Sequence, residues 1–154
     1  MPDPYRCLIT GSRDWSDEPA VWKALAETLR PIPIDREIII VTGACPTGAD
    51  EIAEEWGRGF GATIERHPAD WDNCTPACPP YGARAHRRWK KPDDTVHPGL
   101  LDTYCPTAGP RRNRELVALG ADIALAFIKD GSRGASHTAD LAEQAGIPTR
   151  RFTA

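Results

Sequence analysis

The sequence has none of the common signatures of nucleotide-binding proteins. It contains no Gly-x-Gly-x-x-Gly, and no Walker A sequence in which Gly-Lys-Ser/Thr follows four variable residues. These absences exclude the usual dinucleotide fingerprint and the P-loop. An apolar run of about 18 residues, which a membrane-spanning helix requires, is also missing. Residues 1–4 lack the positive and apolar regions of a signal peptide, so we expect a soluble, cytoplasmic protein without a membrane partner.

A large excess of charge of one sign is missing as well. The 154 residues carry a formal net charge of -3, which argues against a strongly basic nucleic-acid-binding protein. One basic run spans residues 84–91 and includes Trp89, on which a base would stack. A solvated loop explains such a run as well, so nucleic-acid binding is the less favoured alternative. The oligomeric state is not determined by the sequence, and a homo-oligomer is compatible with it.

Apolar strands and helical segments alternate along the chain, apart from its middle third. The pattern predicts strands over residues 6–10, 37–42, 62–66, 123–127 and 149–152. Start signals predict helices that begin near residues 16–19, at a Thr47–Asp50 capping box, at Arg112 and at Ser136. This order predicts an α/β fold with a Rossmann-like parallel sheet flanked by helices, and the length fits one domain over residues 1–154.

Short polar turns follow three of the predicted strands. Because crossover helices bring the ends of parallel strands to one edge, we expect these turns to form one site for a phosphate-bearing ligand. Glycine lets a ligand approach the backbone closely, and an arginine fork grips a phosphate with two hydrogen bonds. Each turn alone also fits a plain connection, so the prediction depends on their convergence. The candidate residues in these turns are Gly11, Ser12, Arg13, Gly43, Gly48, Asp50, Ser132, Arg133 and Gly134.

Basic residues also open the third predicted helix, where Arg111, Arg112 and Arg114 surround Asn113. Positive charge is unfavourable at the N-terminus of a helix because it opposes the helix dipole. An exposed basic helix end is the alternative, but this small penalty favours an anion bound there. We therefore add Arg112 and Asn113 to the site and expect Arg13, Arg112 and Arg133 to surround a common anion pocket.

Residues 70–108 form an insertion that is rich in cysteine and histidine and has almost no apolar periodicity. A long segment without a core needs another source of order, and a metal ion provides one. Cys74, Cys78, Cys105 and a histidine, either His86 or His97, fit a closed, structural Zn²⁺ site. The alternative is a set of unrelated thiols, with Cys105 packed as a small hydrophobic residue.

The chain resembles the SLOG superfamily, and within it the branch related to YspA and YpsA. The matching pieces are residues 10–15, 42–43, 48–50, 67–71, 108–113 and 132–134. The resemblance implies a Rossmann-like fold that binds a nucleotide or a nucleotide-derived ligand at the ends of the strands. Relatives of this branch bear metal-binding insertions of similar composition, which implies His86 as the fourth metal ligand.

One departure concerns the related LOG phosphoribohydrolases, which have Pro-Gly-Gly-x-Gly-Thr-x-x-Glu in the last of the three turns. Here Thr138 stands where those enzymes have the catalytic glutamate. The resemblance therefore implies ligand binding more than hydrolysis of an N-glycosidic or phosphoribosyl bond. Such a hydrolase would have to use Asp50 or Asp70, and single-stranded DNA binding by analogy with DprA is a further alternative.

Overall fold

The computed structural model describes residues 3–78 and 86–154. Its strands are β1 (Tyr5–Gly11), β2 (Ile38–Thr42), β3 (Thr63–Arg66), β4 (Arg88–Trp89), β5 (Thr103–Tyr104), β6 (Ile123–Ile128) and β7 (Thr149–Thr153). Its helices are α1 (Glu18–Leu29), α2 (Ala49–Phe60), α3 (Ala108–Ala118) and α4 (Arg133–Gln144). Five strands form one parallel sheet in the order β3-β2-β1-β6-β7, which confirms the predicted α/β fold.

The sheet is covered on both faces, as its nearly continuous apolar strands require. Successive side chains of a strand point to opposite faces. On β1, Cys7 and Ile9 accordingly pack in a core with α1 and α2, whereas Leu8 packs with α3 and α4. The two helical layers thus fix the sheet between them.

The direction in which successive strands are added to the sheet reverses at β1, although all five strands are parallel. The chain runs from β1 outward to β2 and β3, and then crosses back so that β6 pairs with the other side of β1. In open α/β sheets this switch point leaves a crevice beyond the carboxyl ends of the strands, where ligands bind. In this chain, that crevice is bordered by the turns after β1, β2 and β6.

The structure differs from the sequence prediction at the starts of three helices. Gly48 caps α2 through its backbone conformation (φ 78°, ψ −149°), and the Asp50 carboxylate accepts a hydrogen bond from Cys45 N instead of closing a capping box with Thr47. The last helix begins at Arg133 after Ser132, not at Ser136. The third helix begins at Ala108, four residues before the predicted start, because the turn after Cys105 already has helical geometry.

The insertion contains more regular structure than its sequence predicts. Arg88 and Trp89 on β4 pair antiparallel with Tyr104 and Thr103 on β5. Two-residue strands are too short to show an alternating pattern, so no sequence signal marks them. Across the described residues, no helix has the length and apolarity needed to cross a membrane.

Candidate functional site

A cavity of about 350 Å³ lies at the switch point. It lies among the turns that follow β1, β2 and β6, together with the first turns of α3. Its lining includes most of the predicted ligand-binding residues, namely Gly11, Arg13, Gly43, Asp50, Arg112, Asn113, Ser132 and Gly134. The remaining lining residues are Ile9, Thr10, Asp14, Cys45, Leu116 and Ala135. The structure therefore brings the three sequence-distant turns together.

Two arginines face this cavity without a carboxylate partner. Arg13 donates to the carbonyl oxygen of Val96, and Arg112 donates to the carbonyl oxygens of Gly43 and His67. Neither forms an ion pair within 4.0 Å with any acidic side chain of the described residues. Burial is the main cause that lowers the pKa of Arg112; Asp50 opposes this shift, and the charge of Arg13 adds to it. Two like charges in one cleft favour a bound anion.

Asp50 presents a buried negative group to the same cavity. The residue is 6% exposed, its Oδ2 accepts from Cys45 N at 3.3 Å, and its Oδ1 has no hydrogen-bond partner among the described residues. Burial raises the pKa of Asp50 to about 6, against the opposing effects of the backbone amide of Cys45, the charge of Arg112 and, least of these, the backbone amide of Gly43. A carboxyl group with this pKa exchanges its proton close to neutral pH.

The N-terminus of α4 contributes uncapped backbone donors. Ser132 precedes the helix and makes no side-chain cap, while Arg133, Gly134 and Ala135 are its first residues. Amides in the first turn of a helix have no intrahelical acceptor and attract anions. Gly134 and Ala135 line the cavity, whereas the Arg133 side chain is not part of the described lining.

Two other candidate residues hold the walls of the cavity together. Ser12 is 2% exposed, and its hydroxyl accepts from Lys129 N at 2.8 Å, which ties the end of β1 to the end of β6. Gly48 has a positive φ of 78°, and a Cβ there would lie 2.2 Å from Ser12 O. Only glycine fits this approach between the two turns. Neither Ser12 nor Gly48 belongs to the described lining.

A second candidate site lies beside the N-terminus of α3. One ligand atom from each of Cys74, Cys78, His86 and Cys105 lies within 4.8 Å of the others. Cys78 Sγ is 3.7 Å from Cys105 Sγ, close to the separation of about 3.8 Å expected for two thiolates on a tetrahedral Zn²⁺. The predicted cluster is thus assembled and can hold a metal ion.

Hydrogen bonds around the sulfur atom of Cys78 favour its charged form. Thr107 Oγ1 lies 3.4 Å from Cys78 Sγ, and Thr75 N donates to the same sulfur at 3.3 Å. These two bonds are the main causes that lower the pKa of Cys78 to about 5. Thiolates are the form that binds metal, and such outer hydrogen bonds orient metal ligands.

The structure distinguishes between the two histidines. His86 Nε2 lies 3.3 Å from Cys105 Sγ. His97 instead pairs with Asp94 through Nδ1 at 2.8 Å and stacks on Tyr104 at 3.7 Å between ring centroids. His86 is therefore the histidine of the cluster.

Other residues of the insertion join the two sites. The Asp72 carboxylate accepts from Leu100 N and Leu101 N at 2.8 and 3.2 Å. Just before these residues in the chain, the carbonyl oxygen of Val96 accepts a hydrogen bond from the Arg13 guanidinium. Sequence reasoning missed this contact because a backbone carbonyl has no residue signature. Arg87, part of the basic run, donates to Asp72 O at 2.9 Å and is thus engaged within the protein, whereas Arg84 lies outside the described residues.

Together, the doubly covered parallel sheet and the polar cavity at its switch point define a Rossmann-like α/β protein. The profile of the YAcAr family, described as "YspA, cpYpsA-related SLOG family", matches residues 5–73. The Gene 61 protein of Mycobacterium phage D29 is 36% identical over 152 residues, which cover 96% of this chain and 95% of that protein. No solved structure shows significant similarity. The chain belongs to the YspA, cpYpsA-related SLOG family.

Proposed function

We propose that the chain binds a nucleotide or a nucleotide-derived ligand in the switch-point cavity. The observation that carries this proposal is the meeting of Arg13, Arg112 and the uncapped N-terminus of α4 around one cleft. All three attract negative charge, and the arginines have no acidic partner to neutralise them within the described residues. A phosphate group supplies the missing charge and accepts several hydrogen bonds at once.

Thermal unfolding in the presence of a panel of nucleotides and ADP-ribose derivatives tests this proposal. A ligand at about 100 times its Kd stabilises the folded state by about 2.7 kcal/mol, which raises the Tm of a chain of this size by several degrees. Arg112→Gln should abolish the shift. Arg114→Gln, which changes the same charge on the exposed side of α3, is the matched control and should retain it. A panel without any stabilising compound would contradict the proposal.

Hydrolysis of an N-glycosidic or phosphoribosyl bond is the second candidate function. It is favoured by Asp50, a carboxyl group in the cavity whose pKa is raised to about 6 by burial. Thr138 does not provide a substitute for the missing glutamate, because it is 1% exposed and its hydroxyl donates to Gly134 O at 3.2 Å. Release of free base from nucleoside monophosphates, abolished by Asp50→Asn and retained by Glu51→Gln, would support this activity. Unchanged substrate after prolonged incubation would exclude it for the compounds tested.

We also propose that Cys74, Cys78, His86 and Cys105 bind one structural Zn²⁺. Three thiolates and one imidazole suit zinc better than calcium or magnesium, which prefer oxygen ligands. Elemental analysis of protein purified without chelator should find about one zinc per chain. Cys105→Ser should lower this ratio, whereas Cys45→Ser, which changes a thiol outside the cluster, should not. Metal-free protein from a zinc-supplemented preparation would contradict the proposal.

A further inference from the structure

Asp50 Oδ1 is a buried acceptor whose partner is missing from the protein. Within the described part of the chain, it is the buried side-chain oxygen or nitrogen that lacks a hydrogen bond. Leaving a buried polar atom unpaired is costly, and native structures seldom do so without a functional reason. Because Asp50 lines the cavity, a ligand in the cavity can supply the missing donor.

Arg112, the cationic neighbour, does not fill this role. Its guanidinium donates to the carbonyl oxygens of Gly43 and His67 and to Asn113 Oδ1. These bonds hold the group against the β2 turn, and no ion pair with Asp50 forms within 4.0 Å. The cavity therefore presents the buried Asp50 acceptor and two cations as separate features, and the exposed Asp14 carboxylate, 4.0 Å from Lys129 Nζ, also belongs to its lining.

The chemistry of the cavity defines the group that Asp50 accepts from. A phosphate oxygen would be repelled by the carboxylate. An ammonium group would be repelled by Arg13 and Arg112, which line the same cavity. A neutral hydroxyl avoids both repulsions and forms a strong hydrogen bond to a charged acceptor.

The size of the cavity restricts the ligand further. Its volume of about 350 Å³ lies near the lower end of the range for small-molecule sites. This size suits one sugar phosphate unit better than a dinucleotide.

Building on the proposed function, we propose that the site recognises a sugar phosphate unit, free or within a mononucleotide. The sugar hydroxyl donates to Asp50 Oδ1, and the phosphate lies toward Arg13, Arg112 and the first turn of α4. Asp50 thus selects for the sugar, and the cationic groups select for the phosphate.

An NMR titration of the full chain with ribose 5-phosphate and with methyl phosphate separates these two contributions. The readout is the Kd of methyl phosphate divided by the Kd of ribose 5-phosphate. A ratio is needed because the Asp50 variants remove a negative charge, which should strengthen the binding of both phosphates. Wild type should prefer ribose 5-phosphate by about tenfold or more, as expected for a hydrogen bond to a charged group. Asp50→Ala should bring the ratio close to one, and Asp50→Asn, which keeps the size of the buried side chain, should reduce it as well.

Glu51→Gln is the matched control, because Glu51 is an exposed acid in the same first turn of α2. It should retain the preference of the wild type. If both phosphates bind wild type equally, or if the preference survives in both Asp50 variants, the sugar assignment is wrong and phosphate binding stands. If neither phosphate binds wild type although a nucleotide stabilises it in thermal unfolding, the sugar phosphate assignment is wrong and the proposed function stands; if no compound of either set binds, both fail.

Discussion

Single residues at the cavity are placed where they lower the stability of the fold. Asp50 is a buried acid with an unpaired oxygen, and Arg112 is a mostly buried cation without an acidic partner. Both arrangements cost free energy in the protein without ligand. Binding sites commonly retain such groups because a ligand compensates them.

Asp50 predicts a dependence of stability on pH. Burial raises its pKa to about 6, so its favourable contribution is complete below about pH 4 and is lost as the pH rises through 6. Asp50→Asn, which does not ionise, should exceed wild type in free energy of unfolding by about 3 kcal/mol at pH 8 and lose this advantage near pH 4. Urea denaturation across this range measures the difference. A difference that is constant with pH would contradict the assignment.

Gly11 predicts a steric limit at the end of β1. A Cβ at this position would lie 2.3 Å from Ala49 Cβ and 3.1 Å from Phe127 O. Gly11→Ala should therefore lower the free energy of unfolding by about 1–3 kcal/mol, because β1 and α2 cannot separate without disturbing the core. Gly59 lies on α2, and a Cβ there would have no atom within 4 Å. Gly59→Ala should therefore raise the free energy of unfolding by up to about 1 kcal/mol. Equal effects of the two substitutions in urea denaturation would argue against this packing.

At the level of elements, side chains reach across the sheet as well as along it. Arg6 on β1 forms two hydrogen bonds with Glu65 on β3, at 3.0 and 2.7 Å, across the intervening β2. His67 also lies 2.8 Å from Glu65 Oε2. This group fastens the outer strand β3 to the centre of the sheet.

The Arg6–Glu65 pair predicts a loss of stability in acid. The hydrogen bond from Arg6 is the main cause that lowers the pKa of Glu65 to about 2. Its contribution is present above about pH 4 and is lost as the pH falls toward 2. Glu65→Gln should cost about 1 kcal/mol at pH 7, since both side chains are partly exposed, and the gap from wild type should close in acid. Glu27→Gln, which removes two long exposed pairs, with Lys23 at 4.0 Å and Arg150 at 3.9 Å, should have little effect at either pH.

The elements that could be predicted from the sequence are those with a dense apolar pattern. Residues 37–42 carry four consecutive β-branched residues, and the structure places β2 there. The position of the start of α2 could be predicted but its cap could not, because Gly48 caps the helix through a backbone conformation that depends on the turn after β1. Strands β4 and β5 could not be predicted either, since they exist through pairing with each other.

At the scale of the whole molecule, the cysteine-rich insertion and the cavity form connected parts. Cys105 lies three residues before α3, the helix that carries Arg112, and Val96 of the insertion accepts from Arg13. The spacing of the cysteines and the lack of an apolar core in the insertion predicted the cluster, with its histidine left open between His86 and His97. The polar turns predicted that the ends of β1, β2 and β6 converge on one site. Their connection could not be predicted, because it passes through backbone carbonyls.

Removal of the proposed Zn²⁺ should therefore loosen the insertion while the sheet persists. With a strong chelator, we expect faster amide hydrogen exchange in residues 86–107 and unchanged protection in β1, β2 and β6, whose cores pack independently of the cluster. Cys45→Ser should respond to chelator as wild type does. Uniform loss of protection across the sheet, or none anywhere, would contradict this separation.

The two outer strands of the sheet affect how readily copies of the protein aggregate at high concentration. Among residues 3–78 and 86–154, β3 and β7 each pair with one neighbour only, so each leaves a row of backbone amides and carbonyls without a strand partner there. Arg66 on one side and Arg150 on the other, whose side chains are about half exposed, place charges along these rows. Another strand that approached either row would have to strip water from those charges, which discourages the stacking of copies into aggregates.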